Sequence, residues 1–240
     1  MNRRTDRRPT ASCLAGPVLR SRSLMALACA VPILALASAS PTTALSIAGE
    51  SVPFDAPSCQ GQTATIFRGA NRAVDDTFVM GTEGPDVIVV VGLENTIRGN
   101  GGDDLICTFG PDGDIVHGGS GNDRIFTATG RDIIYGDDGN DEIHAGGGGD
   151  ELHGGSGADI IHGDDGGDEI YGGPGNDLLH GDGGSDWIIG ADGDDTMYGG
   201  DGGDRIRGFE GLDRGIGGPG YDICRFETEF RTSCGTYVGA

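Results

Sequence analysis

Twelve aspartates recur at intervals of nine residues between Gly118 and Arg225: Asp123, Asp132, Asp141, Asp150, Asp159, Asp168, Asp177, Asp186, Asp195, Asp204, Asp213 and Asp222. Each holds the sixth place of a nine-residue unit such as GGSGNDRIF (118–126) or GGPGNDLLH (172–180), and in ten of the twelve an apolar residue follows two places later. Carboxylates are hard oxygen donors, and a column of them repels itself unless cations intervene. Glycine at the first, second and fourth places permits positive φ and tight curvature, which turns backbone carbonyls toward the same spot. That donor set suits Ca²⁺, which takes six to eight oxygens at roughly 2.3–2.6 Å and tolerates irregular geometry. Zinc or copper suits the turns poorly, because they offer no imidazole or thiolate.

The elements that position these aspartates follow from the period. Recognisable units begin at Gly81 with GTEGPDVIV, VVGLENTIR and GNGGDDLIC (81–107); Thr108 is a one-residue insertion, and FGPDGDIVH (109–117) joins the uninterrupted run. With 48 Gly, 6% aromatic residues and a formal charge of −22, an ordinary globular core is hard to build. The strict repeat argues instead for a stacked solenoid. The eighth place supplies its only regular apolar residue, from Ile125 through Ile206, and should point inward.

The flanks read differently. An Arg-rich stretch precedes the apolar run 24–37, and Ala37-Ser38-Ala39 forms a small-x-small cleavage site, so residues 1–39 read as an export signal and the chain as secreted. The apolar run of 14 residues is short for a bilayer span. Residues 40–58 are expected to form a flexible lead, 59–80 an N-terminal cap containing a decayed unit around Asp75–Phe78, 81–225 the repeat array, and 226–240 a C-terminal cap. Residues 1–39 hold six of the 16 Arg and one acid (Asp6), so 10 Arg face 37 acids in the remainder, a charge of −27. That charge argues against nucleic acid or an anionic membrane as a partner unless cations intervene. Cys59, Cys107, Cys224 and Cys234 remain after the signal, an even number that suggests two disulfides. Three pairings exist; Cys59–Cys107 with Cys224–Cys234 would staple each end of the array. No HExxH, nucleophile elbow or Lys-bearing phosphate loop occurs, which argues against an enzyme.

The units resemble the calcium-binding nonapeptide repeat of the RTX or hemolysin type, G-G-x-G-x-D-x-U-x with U aliphatic. They are similar to the free-standing secreted forms, in which a Cys-containing ATI segment leads into the array. The resemblance implies an all-β parallel β-roll, a calcium-binding β-solenoid: six residues turn and bind Ca²⁺, three form a strand, and two units complete a coil. Units 18 apart then share an edge, with Asp141, Asp159 and Asp177 in one column and Asp150, Asp168 and Asp186 in the other. The expected ligands to multiple Ca²⁺ ions are the aspartates named above without Asp213, together with Asp86 and Asp104. Departures are expected to weaken sites: Asp112 at a fourth place, Asn95 at a sixth, Gly215 at an eighth, and Thr-Ala-Thr opening unit 127–135.

All five histidines (His117, His144, His153, His162, His180) fall at the ninth place, and His144, His162 and His180 should stack in one exposed column. A metal-binding or pH-sensitive stripe needs converging partners, and the sequence supplies none in view, so a solvated strand position is the simpler reading. Ile133, Ile160, Leu178, Trp187 and Ile189 also reach the outer faces. Trp187 with Ile189 is a candidate docking surface for a sugar, a cell-wall polysaccharide or another copy, against plain β-propensity on a solvated face.

Overall fold

A computed structural model describes residues 61–62, 64–68 and 77–226. Among them every regular element is a strand, and the chain winds as a parallel β-solenoid. One sheet of nine strands runs from Ile66–Arg68 through Val87–Val91, Leu105–Phe109, Arg124–Phe126 and onward to Arg214–Ile216. The opposite nine-stranded sheet runs from Thr77–Met80 through Asn95–Gly101 and Ile115–Ser120 to Ile223–Arg225. A third sheet of two-residue strands, from Thr129–Gly130 to Asp201–Gly202, lines one turn edge. Among the described residues no helix is long and apolar enough to cross a membrane.

Register follows the repeat. Glu142 pairs with Ile160, Ile143 with Ile161 and His144 with His162, so neighbouring strands are 18 residues apart and two units make a coil. Pairs that span Thr108 are offset by 19 instead, as with Leu105 and Arg124. The strand Leu105–Phe109 absorbs the insertion, with Thr108 buried opposite Val90.

Extended backbone alternates its side chains, so the sixth, eighth and following first places share the inner face while the seventh and ninth point out. The burial pattern obeys this from Gly118 onward, while in the first units Val89, Leu105 and Cys107 at seventh and ninth places are buried in a second small cluster. Eighth-place residues from Ile88 to Ile206 form one continuous core, fully shielded from water. Val79 extends that core before Gly81, which fits a decayed unit at the amino end. Gly215 leaves no void: a Cβ there would lie 2.4 Å from Cζ of Phe226, whose ring packs against the core in place of the missing side chain. The proposed signal, the flexible lead, half of the N-terminal cap and all of the C-terminal cap beyond Phe226 lie outside the described residues, as do Cys59 and Cys234 of the two expected disulfides. Cys107 is buried.

Candidate metal centre

The aspartates are drawn inside the coil. Asp123, Asp141, Asp159 and Asp177 are each no more than 2% exposed, as are Asp150, Asp168, Asp186 and Asp204 on the other side. In one column the backbone N–H of each donates to Oδ1 of the next coil's aspartate: Asp86 to Asp104, Asp104 to Asp123, Asp123 to Asp141, and Asp141 to Asp159 at 2.8 Å. The line continues through Asp177 and Asp195 to Asp213. The second column begins at Asn95 and passes through Asp114, Asp132, Asp150, Asp168, Asp186 and Asp204 to Asp222. All thirteen aspartates expected as ligands therefore fall in two continuous ladders.

Two members were not expected as ligands. Asp114 follows an atypical fourth place, yet its Oδ1 accepts from both the backbone and the Nδ2 of Asn95 at 2.8 Å. Asp213 precedes Gly215, yet accepts from the Asp195 N–H at 3.2 Å. Both stand at the sixth place of their units, which was signal enough. An outer ladder also escaped notice: fifth-place Asn122 and Asn140 cap the backbone of the next coil, as in Asn140 N–H to Asn122 Oδ1 at 2.9 Å and Ala158 N–H to Asn140 Oδ1 at 2.7 Å.

One ladder oxygen is satisfied and the other is not. Oδ2 of Asp104, and of every sixth-place aspartate from Asp123 through Asp222, is buried without a hydrogen-bond partner. Asp86 differs, since its Oδ2 accepts from the backbone and hydroxyl of Thr82 at 2.7 and 2.9 Å. An anionic oxygen shut away from water with nothing to bind is strongly unfavourable. First-place glycines mark where these oxygens point. A Cβ on Gly154 would stand 2.3 Å from Asp159 Oδ2 and 2.6 Å from the carbonyl oxygen of Gly172. On Gly181 it would stand 2.3 Å from Asp186 Oδ2 and 2.4 Å from the oxygen of Gly199. At these units the first-place glycine leaves room, although Thr127 and Ala145 hold a first place elsewhere, whereas from Asn100 onward positive φ falls at the second and fourth places, as at Gly155 (113°) and Gly157 (133°).

A carboxylate oxygen and a main-chain carbonyl of the neighbouring coil converge in this way beside Gly99, Gly118, Gly136, Gly154, Gly172, Gly181 and Gly199. Only oxygens meet there, so the donor set fits a hard divalent cation and offers nothing to a soft one. The family is decided by the units themselves. The model of the RTX calcium-binding nonapeptide repeat matches residues 80–108 and, in overlapping segments, 110–224. The chain belongs to this family. It is a calcium-binding repeat protein of the β-roll type, a structural class rather than an enzyme family, whose repeats bind multiple Ca²⁺ ions. Among curated proteins no match was found.

Burial sets the charge state of the RTX ladders. It pushes the carboxyls of Asp104, Asp141 and Asp177 up to about 7, and those of Asp123, Asp150, Asp168, Asp186, Asp195 and Asp204 up to about 6. The N–H received at Oδ1 opposes the shift without cancelling it. Unfolded aspartates titrate near about 3.9, so the metal-free fold holds extra protons between roughly pH 4 and 7. Its stability is therefore fully present below about pH 4 and drains away as pH rises through 6 and 7. In chelator, lowering the pH from about 7.5 to 5 should increase the strand signal in circular dichroism, the reverse of ordinary acid denaturation. A strand signal that falls over the same range would contradict the buried ladders.

The ninth-place rings stack as the spacing predicts. His144 lies 4.6 Å from His162, and His162 lies 4.5 Å from His180, with Phe126 and Tyr198 continuing the column. On the opposite sheet His117, Tyr135, His153 and Tyr171 do the same. These rings are half-buried by one another. Trp187 is exposed.

Proposed function

We propose that the chain is an exported, non-enzymatic β-roll that folds on taking up Ca²⁺, the ions being held by the sixth-place aspartates. The observation that carries this is the buried Oδ2 without a partner, repeated in register along both ladders. Asp104 and the aspartates from Asp123 to Asp222 would supply carboxylate oxygen, and the first-place carbonyls of the neighbouring coil would supply the rest. Bound calcium supplies positive charge that neutralises the buried carboxylates and ties successive coils together. Asp86 is a weaker candidate, because Thr82 already occupies its Oδ2. The export signal read from residues 1–39 supports folding outside the cell, where free calcium is high. Calorimetric titration of the purified chain with CaCl₂ tests the reading: it requires saturable uptake in the millimolar range or tighter, and a chain indifferent to millimolar Ca²⁺ would end it.

A second role, as a calcium-dependent module binding cell-wall or extracellular polysaccharide, has one observation in its favour. Trp187, Arg205, Arg207, Ile223 and Arg225 line a groove of about 280 Å³, a basic and aromatic surface on an otherwise acidic array. An aromatic face with guanidinium groups suits an acidic sugar polymer. Sedimentation with acidic polysaccharide, with and without calcium, should show binding that Trp187→Ala abolishes while calcium-dependent folding persists. Equal sedimentation of the variant would remove this role.

A further inference from the structure

We infer that the outer column of the first sheet carries a second, chemically distinct metal site, for a transition-metal dication such as Zn²⁺, formed by His162, His180 and Asp182. The missing converging partner comes from a second-place residue. Asp182 sits at φ 66°, a left-handed conformation that the turn imposes on this place and that Gly155, Gly173 and Gly200 hold in neighbouring units. The turn brings its Oδ2 to 2.9 Å from Nδ1 of His162, one coil earlier. His180, two residues before it, stacks on His162 with the rings 7° from parallel. One donor atom from each of the three side chains lies within 4.8 Å of the others.

Donors around one tetrahedral zinc, each about 2.1 Å from it, stand about 3.4 Å apart. Bringing donors that lie within 4.8 Å to that spacing requires up to about 1.4 Å of closure, by rotation of side chains that face solvent. The cleft beside them measures about 670 Å³ and is open to water, which would complete the coordination. Asp164, Asp165 and Asp201 line the same cleft and favour a cation over an anion. Two imidazoles and one carboxylate are the ligands of zinc, copper and nickel, whereas calcium prefers an all-oxygen cage, so the two kinds of ion sort themselves between outside and inside.

Neighbouring rungs show why this one is favoured. One coil earlier, His144 and Asp164 stand 3.8 Å apart, beyond hydrogen-bond distance. On the other sheet His117 reaches Asp137 at 3.2 Å, but Tyr135 fills the place of the second imidazole. His153 has Tyr171 beside it and Gly173 at the following second place, so no equivalent carboxylate is available.

The inference goes beyond calcium binding but needs the array folded, so zinc is titrated into the full chain in excess Ca²⁺, with circular dichroism recorded first. A chain unfolded at that stage refutes the calcium reading without bearing on His162. In the folded chain, one saturable zinc event is expected. It should weaken at least tenfold in His180→Gln and in Asp182→Asn, and remain unchanged in His153→Gln. Co²⁺ in place of zinc should give a visible d–d band that the same two variants remove. Zinc uptake that survives both variants, that is lost when calcium is raised tenfold, or that never occurs would each overturn the site. If Asp182→Asn disturbs the turn enough to alter the calcium-loaded spectrum, His180→Gln, which changes only an outward ring, decides alone.

Discussion

In EDTA at neutral pH the purified chain is expected to show the circular dichroism of an unfolded polypeptide, and to convert cooperatively to strand as calcium rises toward millimolar. The reason lies in the cross-section of the coil. Nine ordered residues share one buried aliphatic, such as Ile143 or Ile161, and the same nine residues bury a carboxylate. Backbone ordering costs about 1–2 kcal/mol per residue, and a single aliphatic returns about 1.5–3 kcal/mol. Backbone ladders help, but an unpartnered buried Oδ2 in nearly every unit works against them. An ion held tenfold above its dissociation constant adds about 1.4 kcal/mol, and the contributions of successive ions accumulate along the array. Each coil lends donors to its neighbour, so uptake should be steeper than independent sites would give. Strand-like dichroism already present in EDTA would refute this account.

The second large effect concerns substitution within a ladder. Asp159→Asn combined with Asp177→Asn should lower calcium uptake and, in EDTA, raise the fraction of folded chain. The amide keeps an acceptor for the N–H of the preceding coil while removing a buried charge. Its NH₂ can donate toward the first-place carbonyl that the carboxylate oxygen faces unpaired. The chain already buries one amide at a sixth place: Asn95 is 3% exposed and its Nδ2 donates to Asp114 Oδ1 at 2.8 Å, although its Oδ1 has no partner. Asp159→Ala with Asp177→Ala removes the acceptor as well and should destabilise with or without calcium, by about 1–3 kcal/mol for each N–H left unpaired. Calorimetry with Ca²⁺ and urea titration in EDTA separate the two pairs of variants. Equal destabilisation of both in EDTA would mean that the carboxylate charge is not what the fold resists.

Much of this architecture was legible because the repeat writes geometry directly. An interval of nine with partners at 18 fixes two sheets and two columns, and His144, His162 and His180 stack as that arithmetic requires. The inward turn of the aspartates was legible in principle, since Asp159 and Ile161 are two apart on extended backbone and must share a face. What obscured it was chemistry: charged residues are expected outside, and a ladder that caps peptide N–H groups with Oδ1 emerges only once neighbouring coils are stacked. The first-place glycine was credited with conformational freedom; its part is to leave space for Asp Oδ2 and the next coil's carbonyl. Phe226 standing in for the side chain absent at Gly215 joins residues from different units, and no periodic pattern encodes such a substitution. Asp182 was hidden for a related reason. Its position opposite His162 depends on a left-handed residue at the turn, although aspartate 20 places after histidine recurs at Asp137, Asp164 and Asp182.

Because every buried donor in the ladders points toward the carboxyl end, the two extremities of each ladder are chemically unlike. Shortening it from the front exposes carboxylates, which water or a passing ion can serve at once. Shortening it from the back strips acceptors from peptide groups sealed inside the last coil, and those groups have no substitute. The aspartate ladders are therefore polar from end to end, while the seventh-place N–H groups beside them, such as Leu105 donating to the Asp86 carbonyl at 2.9 Å, run the opposite way, and Phe226 closes the stack at the carboxyl end.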